Sequence, residues 1–411
     1  MRKLTAYKTY LIYSCLCAAF FSLIFTVSQI YQVEIIHLSP MQLILAGTTF
    51  EITNFICEIS TGVVADIYSR RLSIIIGTAL IGLGFVIQGI FPNYIAVLVS
   101  QVFWGIGSTF TSGAVEAWIS SENGSGNLNS IYLKGAQVGQ IGSLFGIILS
   151  TILGNYSISL PICLGGGMLI SLSLFLVVFM PEYHFSSAAP EQMNSFGKMF
   201  FTFKAGLKII KAKNILMMMM LIALFNGLAS EGYDRLNAAH FLKDTALPKL
   251  WNLKPVTWFG IFGVAGMLIS SFVMQVVIKK QKGRDDNKSI GMLLIINLLY
   301  MLSMMIFGLT KNFGIMLSAY LSINALKSIN RPIMNALLSI HIDENVRATV
   351  LSTNGQINSL GEMIGGPIIG IIADKYSIGV GITTTVIFLI PVSIIFLKLK
   401  MGVKKYVSLN N

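Results

Sequence analysis

Carboxylates, lysines and arginines recur at helical spacing inside stretches that are otherwise apolar, and these are the residues able to do chemistry. Glu51 and Glu58 stand seven apart with Asn54 between them, so all three line one stripe of a helix. Counting ~1.5 Å per residue from Pro40 puts Glu51 near the middle of its apolar run and Glu58 nearer the far end. A carboxyl group withdrawn from water takes up a proton more readily than a solvated one. Glu51 is therefore the first candidate for a proton carrier and Glu58 the second; a carboxyl that is merely packed or paired is the alternative.

Glu231, Asp234 and Arg235 form a second group. Glu231 and Arg235 are four apart with the acid first, the favourable order for a pair within one helix, which either braces that helix or closes a gate. Asn324, Lys327 and Arg331 follow at spacings of three and four, and Glu362 lies in the next apolar run. Counted from opposite ends, Lys327 and Glu362 reach the same depth. Their spacing predicts an ion pair between helices, Lys327 or Arg331 with Glu362, either permanent or exchangeable for a bound solute or proton. Glu116, next to Trp118, is expected to anchor its helix or to pair with Arg70 or Arg71.

Other chemistries find no residues. The histidines, His37, His184, His240 and His341, lack metal-ligand spacing, and no Gly-Lys-Ser/Thr phosphate loop occurs. No nucleophile and base converge in the sequence, so an enzyme is not expected. No metal or cofactor is expected either, and an ion gradient, of protons here, is the energy source in view. Cys15, Cys17, Cys57 and Cys163 all fall inside apolar runs, which suggests no disulfide framework.

The elements that must hold these groups are long apolar helices. The 411 residues are 54% hydrophobic and 11% charged, far from the balance of a soluble domain. Runs bounded by charge, Gly, Pro or Asn span 6–31, 40–65, 72–91, 94–120, 130–153, 158–180, 215–241, 256–278, 289–310, 313–340, 349–373 and 378–397. Each is long enough for a bilayer core of ~30 Å. The first exceeds the apolar part of a cleavable signal and is followed at once by another run, so it counts as a span. The expected fold is an all-α membrane protein of about twelve transmembrane helices.

Lys and Arg sort to one side. With the N-terminus inside, the outer connections hold only Lys243, Lys249, Lys254, Lys311 and Lys375, while the inner segments hold most of the others, including Arg70, Arg71 and the lysines of 198–213. Both termini are expected in the cytoplasm. The net charge of +12 reflects this sorting against anionic lipid, and nucleic acid is not expected as a partner. The connection 181–214 carries Phe196, Met199, Phe200, Phe203, Leu207 and Ile210 at helical spacing with lysines between, which suits a helix on the inner membrane surface. It separates two six-helix halves, 1–180 and 215–398, ahead of a tail at 399–411. Sliding the sequence by 220 residues brings Gly135 onto Gly355, Gly146 onto Gly366, Ile148 onto Ile368 and Tyr156-Ser157 onto Tyr376-Ser377, so the fifth and eleventh spans read as one element used twice.

With twelve spans, a basic central connection, and Gly62, Asp66, Arg70 and Arg71 between the second and third spans, the chain resembles the major facilitator superfamily. The resemblance implies a monomeric transporter whose charged loop gates the cytoplasmic side: Asp66, Arg70 and Arg71 would contact neighbouring helices, and Gly62 would let helices approach closely. Gly361, Gly365, Gly366, Pro367 and Gly370 in the eleventh span are similar to the Gly and Pro pattern that the family's antiporters carry in their fifth span. Here the fifth span has Gly135, Gly139, Gly142 and Gly146 without proline. Drug:proton antiporters commonly have an arginine before their fourth-span glycines, whereas Gln101 precedes Gly105 and Gly107. EGYDRL, residues 231–236, is similar to a stretch in multidrug and tetracycline efflux relatives.

The resulting expectation is a proton-coupled antiporter in the cytoplasmic membrane that exports amphipathic small molecules or drugs. Glu51 and Glu58 would carry the proton, and Asn54, Gln101, Glu231, Asp234, Arg235, Lys327, Arg331 and Glu362 would face substrate or pair. The rival is an uptake symporter or facilitator for a metabolite, with Lys327 and Arg331 binding an anion. A transport-dead sensor of the same fold is the third.

Overall fold

A computed structural model describes residues 4–123, 127–185, 210, 213–248, 252–281, 286–342 and 347–410. Among them are thirteen α-helices and no strand: α1 (Ala6–Ile30), α2 (Pro40–Ile67), α3 (Arg70–Ile90), α4 (Tyr94–Thr111), α5 (Ala114–Asn123), α6 (Leu128–Gly154), α7 (Ser159–Phe179), α8 (Asn214–Asp244), α9 (Pro255–Gln281), α10 (Asp286–Leu309), α11 (Phe313–Ile340), α12 (Arg347–Lys375) and α13 (Ile378–Asn410). A short π-helix, Tyr31–Ile35, extends α1.

Helices win because a chain in hydrocarbon must satisfy every backbone N–H and C=O within the segment. The exposed N–H groups at helix entries are met by side chains. Ser69, Asn93, Asn127 and Asn312 accept from Leu72, Ala96, Ser130 and Ile315 at 2.9, 2.9, 3.2 and 3.2 Å. Among the described residues nine spans are long and apolar enough to cross a membrane. The other long helices, α2, α11 and α12, have 28, 28 and 29 residues and carry Glu51 and Glu58, Lys327 and Arg331, and Glu362. Glu51, Glu58, Lys327, Arg331 and Glu362 thus lie on the spans least suited to lipid, as expected of residues that line a hydrated path, whereas Glu231, Asp234 and Arg235 lie on α8, one of the nine apolar spans.

The fourth apolar run is not one helix. It breaks after Thr111, where Ser112 is extended and Gly113 adopts φ 69°, and resumes as α5. A left-handed position is open to glycine at little cost. The inner-surface helix expected at 196–210 lies, but for Ile210, outside the described residues.

The chain divides into two compact units. The first comprises Met1–Leu38, Thr49–Met199 and Trp251–Ile261; the second comprises Ser39–Thr48, Phe200–Leu250 and Phe262–Asn411. This differs from a cut at the central connection, because the first turns of α2 belong to the second unit and those of α9 to the first.

Within the first unit α1 packs along α6 and α7, and α3 lies between α4 and α7. Within the second, α8 packs along α12 and α13, and α10 lies between α11 and α13. The same pairings recur in both. Glycines make the closest ones: a methyl group at Gly142 or Gly146 would collide with the carbonyl oxygens of Cys15 and Ala19 in α1, and one at Gly361 or Gly365 with those of Leu224 and Leu228 in α8. Gly142 and Gly146 therefore correspond to Gly361 and Gly365, a shift one residue shorter than the sequence match suggests. Side chains mislead that match because backbone contact, and not side-chain identity, fixes the register.

Candidate substrate and proton site

In the second unit, α8, α11 and α12 bring their charged residues together. Lys327 Nζ donates to both carboxylate oxygens of Asp234, at 2.6 and 2.7 Å. The two side chains keep 35% and 42% of their surface exposed, so the pair is open on one side. The same ammonium lies 5.8 Å from the centre of the Tyr233 ring, and Tyr300 and Glu362 are near enough to act on it electrostatically. A bidentate contact with an ionised partner is among the stronger hydrogen-bonded arrangements available to a lysine.

Depth along the helices points to Glu362 as the partner of Lys327, and the structure corrects this. Glu362 Oε1 instead accepts from Ser230 Oγ at 3.1 Å and Asn358 Nδ2 at 2.9 Å. Depth counting cannot tell apart two carboxylates at similar height, and Asp234 is presented directly to Lys327. Arg331 is exposed and forms no ion pair among the described residues. Glu231 and Arg235 form their pair within α8, Nε to Oε1 at 2.8 Å, with Glu231 4% exposed. They lie against Gly47 of α2, where a methyl group would collide with both. Gly366 faces Glu231, Ile44 and Thr48, and Gly370 faces Met41, while Pro367 sits inside α12.

The first unit holds the other candidates. Glu51 and Asn54 are half-buried on α2, and among the described residues neither side chain makes a hydrogen bond or ion pair; Glu58, also half-buried, stands close along the chain to the exposed Ser60. The neighbouring Phe50 ring lies 4.2 Å from Trp104, which also meets Phe25 at 4.9 Å and Phe85 at 5.7 Å. Gln101 is buried, and its Oε1 has no partner among the described residues.

The two arginines of the charged loop after α2 reach backbone carbonyls of the neighbouring helices α5 and α7. Arg70 Nη1 donates to the Ala117 carbonyl at 3.0 Å, and Arg71 Nη2 donates to the carbonyl of Val177. Glu116 is exposed and, among the described residues, pairs with neither arginine. Among the described residues a Cβ at Gly62 would meet nothing within 4 Å, so no close helix approach is seen there. The side chain of Asp66 lies outside the described residues. Sequence reasoning missed Glu182, which caps α3 by accepting from Arg71 N at 2.9 Å and Ser69 Oγ at 2.6 Å. It also missed Glu122, which accepts from the N–H groups of Tyr183 and His184, each at 2.7 Å. An acid directly after the sixth span was the available signal.

The family model for the Major Facilitator Superfamily matches residues 9–366. The chain belongs to the major facilitator superfamily. It is a multi-pass membrane transporter of that type and not an enzyme. It is 22% identical over 352 residues to the MFS-type transporter YxaM of Bacillus subtilis (strain 168), covering 85% of each chain. Solved structures share the fold: a mutant form of the nucleoside transporter NupG at TM-score 0.77 and 12% identity, covering 97% of this chain and 99% of that one. A POT family transporter in complex with 5-aminolevulinic acid gives 0.76 and 11%, covering 96% of each. A bacterial homolog of the human lysosomal transporter Spinster gives 0.71 and 14%, again covering 96% of each.

Proposed function

We propose that this superfamily member moves a small solute bearing an anionic group together with a proton, and that Asp234 and Lys327 couple the two. The observation that carries the reading is the bidentate contact of Lys327 with Asp234 on an open face. While Asp234 is ionised it occupies the ammonium that a carboxylate or phosphate of the solute would need. Protonation of Asp234 weakens its hold, and the solute anion takes its place on Lys327. Loss of the proton restores the internal pair and expels the solute. Proton and anion are thereby bound and released together, the logic of a symporter.

A second reading has its own observation. Glu51, without a polar partner among the described residues, adjoins the cluster of Phe50, Trp104, Phe25 and Phe85. Aromatic faces with a nearby acid suit an amphipathic cation, and on that reading the protein exports such compounds in exchange for a proton on Glu51. Membrane vesicles containing purified protein and an internal pH dye separate the two. Solute-driven proton entry with small anionic or zwitterionic metabolites, lost in Asp234→Asn and retained in Glu51→Gln, supports the first. Proton exchange driven only by cationic dyes, lost in Glu51→Gln and retained in Asp234→Asn, overturns it in favour of the second.

A further inference from the structure

His240 is a buried imidazole that neither reading uses. It lies on the last turns of α8 and is 2% exposed. Its Nε2 is 2.9 Å from the backbone oxygen of Phe307, and its Nδ1 is 2.7 Å from Asp244 Oδ2. Phe307 sits in the final turn of α10, where carbonyls lack partners within the helix. A carbonyl only accepts, so Nε2 carries a hydrogen. Nδ1 then faces a carboxylate, and the contact needs a hydrogen on one side or the other: imidazolium with carboxylate, or neutral ring with protonated acid. Without that proton a lone pair would face an anion at 2.7 Å.

We propose that His240 and Asp244 together form a proton-binding site at the end of α8, and that the bound proton holds this end of α8 to the last turn of α10. Among the described residues the surroundings supply no competing charge in contact with the ring. From α10 come the Phe307 ring at 5.2 Å and its carbonyl; from α13 comes Gly379, whose Cβ position is 3.1 Å from His240 Cε1. Tyr233 and Tyr320, which meet Phe307, are the titratable groups next out. Lys243 adjoins Asp244, and Lys375 lies over Tyr376 near the start of α13. Asp244 keeps 30% of its side chain exposed, which gives the proton a route to water. By the distribution of Lys and Arg that water is outside the cell, about three helical turns along α8 from Asp234.

The sign follows from the geometry. The clamp depends on the shared proton, so it is present while the pair holds that proton and lost when the proton leaves. Hydrogen exchange on the purified full-length protein tests this, reported as protection factors so that the intrinsic pH dependence of exchange is removed. Between about pH 5 and about pH 9, protection across 238–244 and 307–309 is expected to fall about tenfold in wild type. His240→Gln, whose amide still reaches Phe307 but does not titrate, is expected to be flat over that range. Asp244→Asn offers the same comparison if the first variant does not fold. Constant protection in wild type, or a fall that persists in either variant, overturns the proposal. Asp234→Asn is expected to abolish coupling while leaving this pH dependence intact, so the two sites fail separately.

Discussion

Lys327 shows how one residue's neighbour decides its chemistry. Its ammonium is satisfied by both oxygens of Asp234, so removing either partner leaves a charge that has lost its counter-ion. Hydrogen bonds to charged groups are worth about 1.5–3 kcal/mol, so Asp234→Asn is expected to lower solute-driven proton flux at least ~10-fold. Replacing both by neutral residues is often tolerated better than replacing one. Asp234→Asn with Lys327→Met is therefore expected to melt closer to wild type than Lys327→Met alone, while still moving no protons. Thermal melting in detergent alongside vesicle flux reads both; a double variant less stable than either single one would contradict the account of Lys327 and Asp234 as partners that satisfy each other. At His240 the same kind of argument rests on acceptors on both sides of one ring.

Among elements, close packing is set by the absence of side chains. Gly365 meets the Leu228 carbonyl of α8 so closely that Gly365→Val must push α12 away, at a cost of about 1–3 kcal/mol. A Cβ at Gly62 meets nothing within 4 Å among the described residues, so Gly62→Ala is expected to leave the melting temperature unchanged. Comparing the two variants by melting and expression distinguishes packing glycines from those that merely sit in a motif. The start of α3 makes a second case. Ser69 caps it and Glu182 accepts from Ser69 and Arg71, so Ser69→Ala is expected to cost about 1 kcal/mol. Local exchange of the first α3 amides would report that loss; unchanged protection would mean that Glu182 caps the helix without Ser69.

For the whole molecule, the asymmetry of Lys and Arg predicts orientation. Both termini are expected inside and residue 311 outside. A cysteine placed at Lys311 should react with an impermeant maleimide in intact cells, whereas one at Lys404 should react only after lysis, in a background with Cys15, Cys17, Cys57 and Cys163 replaced. The reverse pattern would invert the assignment and put the His240 site on the cytoplasmic side. The repeated pairings inside each unit, α1 with α6 and α8 with α12, show how two stretches with few identities build the same arrangement.

The long apolar helices, the all-α class and the Glu231–Arg235 pair were legible because they depend on hydropathy and on spacing within one segment, which sequence order carries directly. The break at Gly113 was not, because apolar composition runs through it while a single backbone conformation interrupts it. Lys327 with Asp234 in place of Glu362, the caps by Glu182 and Glu122, and the clamp of His240 between Asp244 and Phe307 were decided only by tertiary structure. Each depends on which face one helix turns toward another. That rotation is fixed by the carbonyls that glycines such as Gly142 and Gly365 allow a neighbouring helix to approach, a contact between backbones that leaves little mark in the sequence of side chains.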